Sequence, residues 1–452
     1  MTNDTQDRLQ RLKRLRRLGL RQGVKHIPVP PPKPLPTEIP VETEPVPLHF
    51  LNYEEDLQHA APIEEVVPGA VIENAHGQYF RSEARYALTG SHGRQPLKDL
   101  LDVPMSTVAT ITADETWHAL SWRDVLFIDL ETTGLEIAAG TVAFLIGMGY
   151  LDGDDFVVRQ VFMRDFNEEM ALLSDLDQFC QRFRAVASFN GKTFDLPLLE
   201  NRFVIARLFP DLLETPHFDL LHPSRKLWRR RLENCRLATI ESEVLGVRRS
   251  MADVPGYFIP SLYRKYLVDH DARPMAGIFY HNEVDIVSMA SLAASLAQHF
   301  NLLDSADPAA AFDPVDMFSV GLWQRQLANI DAAEAVFNLA LRQTLPAEMQ
   351  TQVKAELAYL LKQQDRREEA EPLWQELVLG PAPFMALEEL AKFYEWHRKD
   401  FDSALTCITY ALQLLDEGPQ TWQTAEQKAV WEHRRGRVEA RLEKQKREKR
   451  KG

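Results

Sequence analysis

Residues Val125 to Gly134 read VLFIDLETTG. The run Val125-Leu126-Phe127-Ile128 is short, apolar and rich in β-branched and aromatic types, which predicts a buried strand. Side chains alternate along a strand, so Asp129 and Glu131 point to the same side of it. Two charges on one face at the end of a buried strand are costly unless something neutralises them. A hard divalent cation does so by taking carboxylate oxygens. An isolated Asp-x-Glu is more often a solvated strand end, so the pair gains meaning only with acids found elsewhere.

Downstream, Val125–Leu130, Val142–Tyr150 and Phe156–Met163 are successive strand candidates, and Gly153 marks a hairpin turn between the second and third. Glu168–Arg184 reads as a helix, with Met170, Leu173, Leu176, Phe179 and Phe183 at helical spacing. Strand Ala185–Phe189, helix Phe194–Leu208, short strand His217–Leu221 and a longer helix near Ile278–Phe300 follow. Three antiparallel strands and then strand–helix alternation predict an α/β domain over 121–300, with a mixed sheet and helices on both faces.

Upstream, 49–120 is expected to be a small extension with a hairpin bent at Ala75-His76-Gly77, and Gln95–Leu101 a short helix. Residues 1–48 are basic and then proline-rich. Leu9, Leu12, Leu15 and Leu18 suit a short basic amphipathic helix, and the prolines of 27–48 an extended spacer. From Pro314 the pattern is all helical. Ala333/Phe337/Ala340, Ala370/Trp374/Leu377 and Ala404/Ile408/Ala411 return near the roughly 34-residue period of tetratricopeptide repeats. Helical repeats are expected over 314–420 and a basic tail over 421–452, the irregular bundle being the alternative.

The 452 residues, 26% charged and 45% hydrophobic, suit two or three globular domains. No apolar run approaches the roughly 20 residues that span a bilayer, and arginines interrupt the N-terminus, so neither a membrane span nor a secretory signal is expected. The cysteines, Cys180, Cys235 and Cys407, are far apart and form no C-x-x-C, which fits buried thiols in a reducing cytoplasm. The formal net charge of −14 is uneven, because both ends are basic and the middle is acidic. Basic ends bind polyanions or are simply solvated.

Two further stretches carry carboxylates. In Ser188-Phe189-Asn190-Gly191-Lys192-Thr193-Phe194-Asp195, a turn follows a strand and Asp195 opens the next helix, where an acid is also a common cap. In Tyr280-His281-Asn282-Glu283-Val284-Asp285, His281 and Asp285 lie one helical turn apart on one face. Lys192, the run Arg225–Arg231 and Arg248-Arg249 are candidates for phosphate contacts, with Trp228 placed to stack on a base; a solvated basic face is the alternative.

Taken together, D-x-E-T-T-G, N-G-x-x-F-D and the His281/Asp285 stretch resemble the DEDD 3′–5′ exonucleases, whose fold is RNase H-like. His217–Pro223, Asn234–Leu237, Leu245-Gly246 and Asp253–Gly256 look like the YprB-like branch of that superfamily. The resemblance covers about Val125–Ala297. It implies two Mg²⁺ or Mn²⁺ ions about 4 Å apart, held by Asp129, Glu131, Asp195 and Asp285, with His281 as general base. It further implies hydrolysis of nucleic acid, DNA or RNA, at a single-stranded 3′ end. Thr132, Thr133, Asn190, Lys192 and Tyr280, inside or beside the motifs, are expected on the substrate side. His281 stands at the distance from Asp285 where one subfamily has Tyr, and Tyr280 where the other has His, so the base is open between them. A different class of function, a scaffold whose helical repeats recruit a protein partner, is the alternative; the full set of four carboxylates favours the enzyme.

Overall fold

The computed structural model describes residues 60–134, 140–418 and 421–450. The expected N-terminal helix and proline-rich spacer lie outside the described residues. The central feature is a seven-stranded sheet in the order β1-β2-β7-β6-β5-β8-β9. Its strands are β1 (Ala70–Asn74), β2 (Gly77–Ala87), β5 (Val125–Thr132), β6 (Ala143–Asp152), β7 (Asp155–Phe162), β8 (Ala185–Ser188) and β9 (His217–Asp219). Two short strands, β3 (Ser91–His92) and β4 (Gln95–Pro96), form a separate ribbon.

β5 is the boundary between two pairing modes. It runs antiparallel to β6 and parallel to β8, and β8 is parallel to β9. Val125, Leu126, Phe127 and Ile128 are all fully buried, as expected of a strand covered on both faces. The register with β6 shifts between Glu131 and Thr132, and such a bulge ends regular pairing just where the acidic residues sit.

Two upstream expectations are corrected. The hairpin is not a body beside the sheet: β2 pairs with β7 from Phe80↔Phe162 to Ala87↔Asp155 and so carries the sheet outward. Burial of Tyr79 and Phe80 drives this, helped by the cross-strand pair in which Arg159 donates Nε and Nη2 to Glu83 Oε2 at 3.1 and 2.9 Å. Within Gln95–Leu101 only the end is helical (Asp99–Asp102), because Gln95–Pro96 pairs with Ser91–His92.

The helix Met275–Phe300 packs against β5, β6 and β7 and is buried along most of its length. Glycines on β6 let it approach. A Cβ on Gly149 would lie 2.5 Å from Ile286 Cγ2, and one on Gly147 would lie 2.1 Å from Asn282 Oδ1.

Beyond it the chain is all helical. Helices Pro314–Gln326 and Ile330–Leu341, Ala347–Gln363 and Arg367–Val378, and Pro383–Lys392 and Phe401–Glu417 pack in pairs before the long Trp422–Lys449. The spaced triplets are core: Ala333, Phe337, Ala340, Ala370, Ala404, Ile408 and Ala411 are fully buried, and Trp374 and Leu377 nearly so. Small residues at these places let helices approach, and the large ones fill the space between them.

The first helical pair is continuous with the α/β core, and this corrects the reading of Trp228 and of part of the run Arg225–Arg231. Trp228 is completely buried, edge-on to His299, so it offers no face to a base. Arg231 Nη2 lies 2.8 Å from Asp316 Oδ2, and Lys226 and Arg230 sit over Trp323 and Phe318. These cations join the α/β core to the first helical pair.

Candidate active site

Asp129 and Glu131 leave the C-terminal half of β5 on one side, as the period of two requires. Asp129 does not stand free. Asn282 Nδ2 donates to Asp129 Oδ2 at 2.9 Å, and Gln160 Nε2 donates to Asn282 Oδ1 at 2.9 Å. Gln160 also donates to Phe279 O at 2.8 Å. A fully buried amide is therefore pinned on both sides and aimed at the carboxylate.

Asp195 is the first residue of the helix Asp195–Ile205 and is buried. The turn before it is held by Asp219, at the end of β9. Asp219 Oδ1 accepts from the Asn190 and Leu221 amides at 2.8 and 3.1 Å, and Oδ2 from the Lys192 amide at 3.1 Å. Asn190 adopts φ 68°, which Asn tolerates better than most residues. Gly191 is needed for the approach of Ser188 and Asp195, since a Cβ there would lie 2.5 Å from Ser188 Oγ and 3.0 Å from Asp195 Oδ2.

Asp285 comes from the helix Met275–Phe300, one turn beyond His281. His281 Nδ1 lies 2.8 Å from Asp253 Oδ1, and its Nε2 lies 3.7 Å from Asp285 Oδ2. Asp253 is delivered by a loop that packs where Gly277 lacks a side chain; a Cβ there would lie 2.4 Å from Val254 Cγ2. The same loop brings Arg249, which donates to both oxygens of Glu241 at 2.7 Å each and to Asp285 Oδ1. Arg249 Nη1 is also 3.1 Å from His281 Nδ1 and 3.5 Å from Asp253 Oδ1.

The charges act on one another. Burial pushes Asp129 well above the usual carboxylate range, and Asp285 and Asp195 push it further. Glu131 is raised in the same way, by burial and then by Asp129, Asp285 and Asp195. Asp195 is raised to about 7 by burial, Asp219 and Asp285. Asp285 is raised by burial, against the opposing fields of His281 and Arg249. For His281, burial opposes charge, but the hydrogen bond to Asp253 and the field of Asp285 win and raise its pKa. Buried carboxylates whose charges raise one another's pKa are short of positive charge.

That donor set suits hard divalent cations: all four groups are carboxylates, drawn from three separate elements. As the side chains stand, no three His, Cys, Asp or Glu among the described residues are grouped to hold an ion. The Arg249 guanidinium is what sits against Asp285.

The other expected residues make the following contacts. Thr132 Oγ1 donates to Gly134 O at 2.6 Å, and Thr133 Oγ1 accepts from the Val142 amide at 3.0 Å, so both hydroxyls close the turn after β5. The Tyr280 hydroxyl accepts from the Ser250 amide at 2.9 Å, fastening the Arg249 loop. The Asn190 side chain accepts from Thr193 Oγ1 at 2.9 Å. The Lys192 side chain is exposed beside the turn.

Sequence reasoning gave no role to Asn282, Gln160, Glu241, Asp219 or Asp253, and took Arg249 for a phosphate contact. Gly147, a glycine inside a strand, was the available signal for the close approach of Asn282.

A family model described as the RNase H superfamily matches residues 126–297. The protein named "Uncharacterized protein YprB" from Bacillus subtilis (strain 168) is 31% identical over 343 residues, covering 73% of this chain and 79% of that protein.

Proposed function

This chain belongs to the RNase H superfamily, as a relative of YprB, and from that premise we propose that it is a metal-dependent nuclease acting as a 3′–5′ exonuclease. The observation that carries this is the convergence of Asp129, Glu131, Asp195 and Asp285, each raised by burial and most by one another. Gathering buried carboxylates in this way is costly, and catalysis or cation binding is a function that repays it.

In this reading Asp129, Glu131, Asp195 and Asp285 hold two Mg²⁺ or Mn²⁺ ions. Such ions activate water and stabilise the departing oxygen of a phosphodiester. The chain's own groups do the rest. Asn282 fixes the rotamer of Asp129. In this reading the His281 proton sits on Nδ1 and is donated to Asp253, the shorter of its two contacts. Nε2 is then the acceptor for a proton from the attacking water. The water oxygen would bond to phosphorus as the bond to the 3′ oxygen breaks, that oxygen would take a proton from solvent to become a hydroxyl, and a nucleoside 5′-monophosphate would leave. Lys192, exposed beside Asp195, supplies charge for the strand's phosphates.

A second reading, a scaffold that binds nucleic acid or a protein partner without cutting, is favoured by one observation: Arg249 already occupies Asp285. One experiment separates the two. With Mn²⁺, the full chain should shorten a 5′-labelled single-stranded oligonucleotide, DNA or RNA, from its 3′ end, and Asp129→Ala should abolish this. No shortening of either substrate, or equal activity in Asp129→Ala, rejects the nuclease reading.

A further inference from the structure

We propose that Arg249 is an internal counter-cation that competes with a divalent ion for Asp285 and so sets how tightly the site takes metal. This rests on the reading of Asp285 as a ligand.

Arg249 is a buried hub. Its side chain is 12% exposed, and Glu241, its anchor, is 2% exposed. Nε and Nη2 grip the two oxygens of Glu241 at 2.7 Å each; Nη2 also reaches Asp285 Oδ1; and Nη1 faces His281 Nδ1 and Asp253 Oδ1. A guanidinium cannot shed its charge near neutral pH, so it can make room only by moving. The two-point grip on Glu241 defines where it moves from and what holds it nearby.

The loop itself is fastened and need not move. The Ser250 amide donates to the Tyr280 hydroxyl at 2.9 Å, the Asp253 amide donates to Ser250 O at 3.1 Å, and Val254 fills the space left by Gly277. The change is therefore confined to one side chain. The lone pairs of Asp285 Oδ1 that accept from Arg249 face the guanidinium, and like charges a few ångström apart in a largely buried site repel one another. A divalent ion and Arg249 thus exclude one another at this oxygen.

The test is Mn²⁺ binding by the full chain, read by titration calorimetry and by the Mn²⁺ paramagnetic resonance signal, with no substrate present. Arg249→Gln should tighten Mn²⁺ binding on the order of tenfold, equivalent to about 1.4 kcal/mol. Because that change strands a buried glutamate, the pair Glu241→Gln with Arg249→Gln is measured beside it and should show the same gain. In an Asp285→Asn background the gain should vanish. Binding by the variant but not by the parent supports the proposal. An unchanged or weaker affinity overturns it. So does an equal gain with Asp285→Asn, which would mean a general field rather than competition at that oxygen. If the parent binds Mn²⁺, Asp285→Asn weakens it and Arg249→Gln changes nothing, the nuclease reading stands and only the role of Arg249 falls. If neither parent nor variant binds, both fall.

Discussion

Asn282 and Asp129, 153 residues apart, are joined by a 2.9 Å hydrogen bond that exists because residue 147 has no side chain. The helix Met275–Phe300 comes close to the sheet there over that glycine, and the Asn282 amide then fixes the carboxylate at the centre of the acidic cluster.

Gly147→Ala should therefore be doubly harmful. Its methyl would lie 2.1 Å from Asn282 Oδ1, so the helix or the amide must shift. Overpacking of this kind costs about 1–3 kcal/mol. A fall of that size in urea unfolding, together with weaker Mn²⁺ binding, is expected. A variant with parental stability and affinity would show that Asn282 does not depend on this approach.

Asp195→Asn should stabilise the fold while destroying activity. The folded-state pKa of Asp195 is raised to about 7 from 3.8. The sign follows: its contribution to stability is fully present below pH 3.8 and is lost as pH rises through about 7. At pH 8 in EDTA the ionised group costs on the order of 4 kcal/mol, which the amide avoids. Thermal melts at pH 8 in EDTA should show the variant melting higher, and a lower midpoint would contradict the assigned burial cost.

His217 should show the opposite pH dependence. Burial lowers its pKa to about 4 from 6.5, against the pull of Asp219, and its Nε2 lies 2.8 Å from Ser188 Oγ. A depressed base is folded in its neutral form, so its contribution is present above pH 6.5 and is lost as pH falls through about 4. The difference in stability between parent and His217→Gln should shrink by on the order of 3 kcal/mol across that window. A difference independent of pH would remove His217 from the acid response.

Asp253→Asn and Tyr280→Phe decide which side chain serves the water. Replacing an orienting carboxylate typically costs about 10–100-fold. Asp253→Asn should lower kcat within that range with little change in KM, and His281→Ala should lower it further. Tyr280→Phe, whose hydroxyl is engaged by the Ser250 amide, should cost far less. The reverse order of effects would transfer the role of base to Tyr280.

Much of the sheet was legible because its signals are local. The apolar run of β5, the glycine turn between β6 and β7 and the helical spacing of Phe337, Trp374 and Ile408 each speak within a few residues. The acids were legible as motifs for the same reason. Trp228 misled because a tryptophan among arginines has the same local pattern on a nucleic-acid surface and in an interface; only the arrival of Asp316, Phe318 and Trp323 from the helix Pro314–Gln326 distinguishes them.

By itself, then, the sequence determined that Asp129 and Glu131 share one side of a buried strand, and that His281 and Asp285 share a helix face, because backbone periodicity dictates both. Tertiary structure alone decided what those groups face. Asn282 turned toward Asp129, the hairpin of β1 and β2 joined the sheet, and Arg249 settled between Glu241 and Asp285. Each of these depends on segments far apart in the chain meeting at contact distance, and electrostatic and steric forces at that range leave no imprint on local spacing.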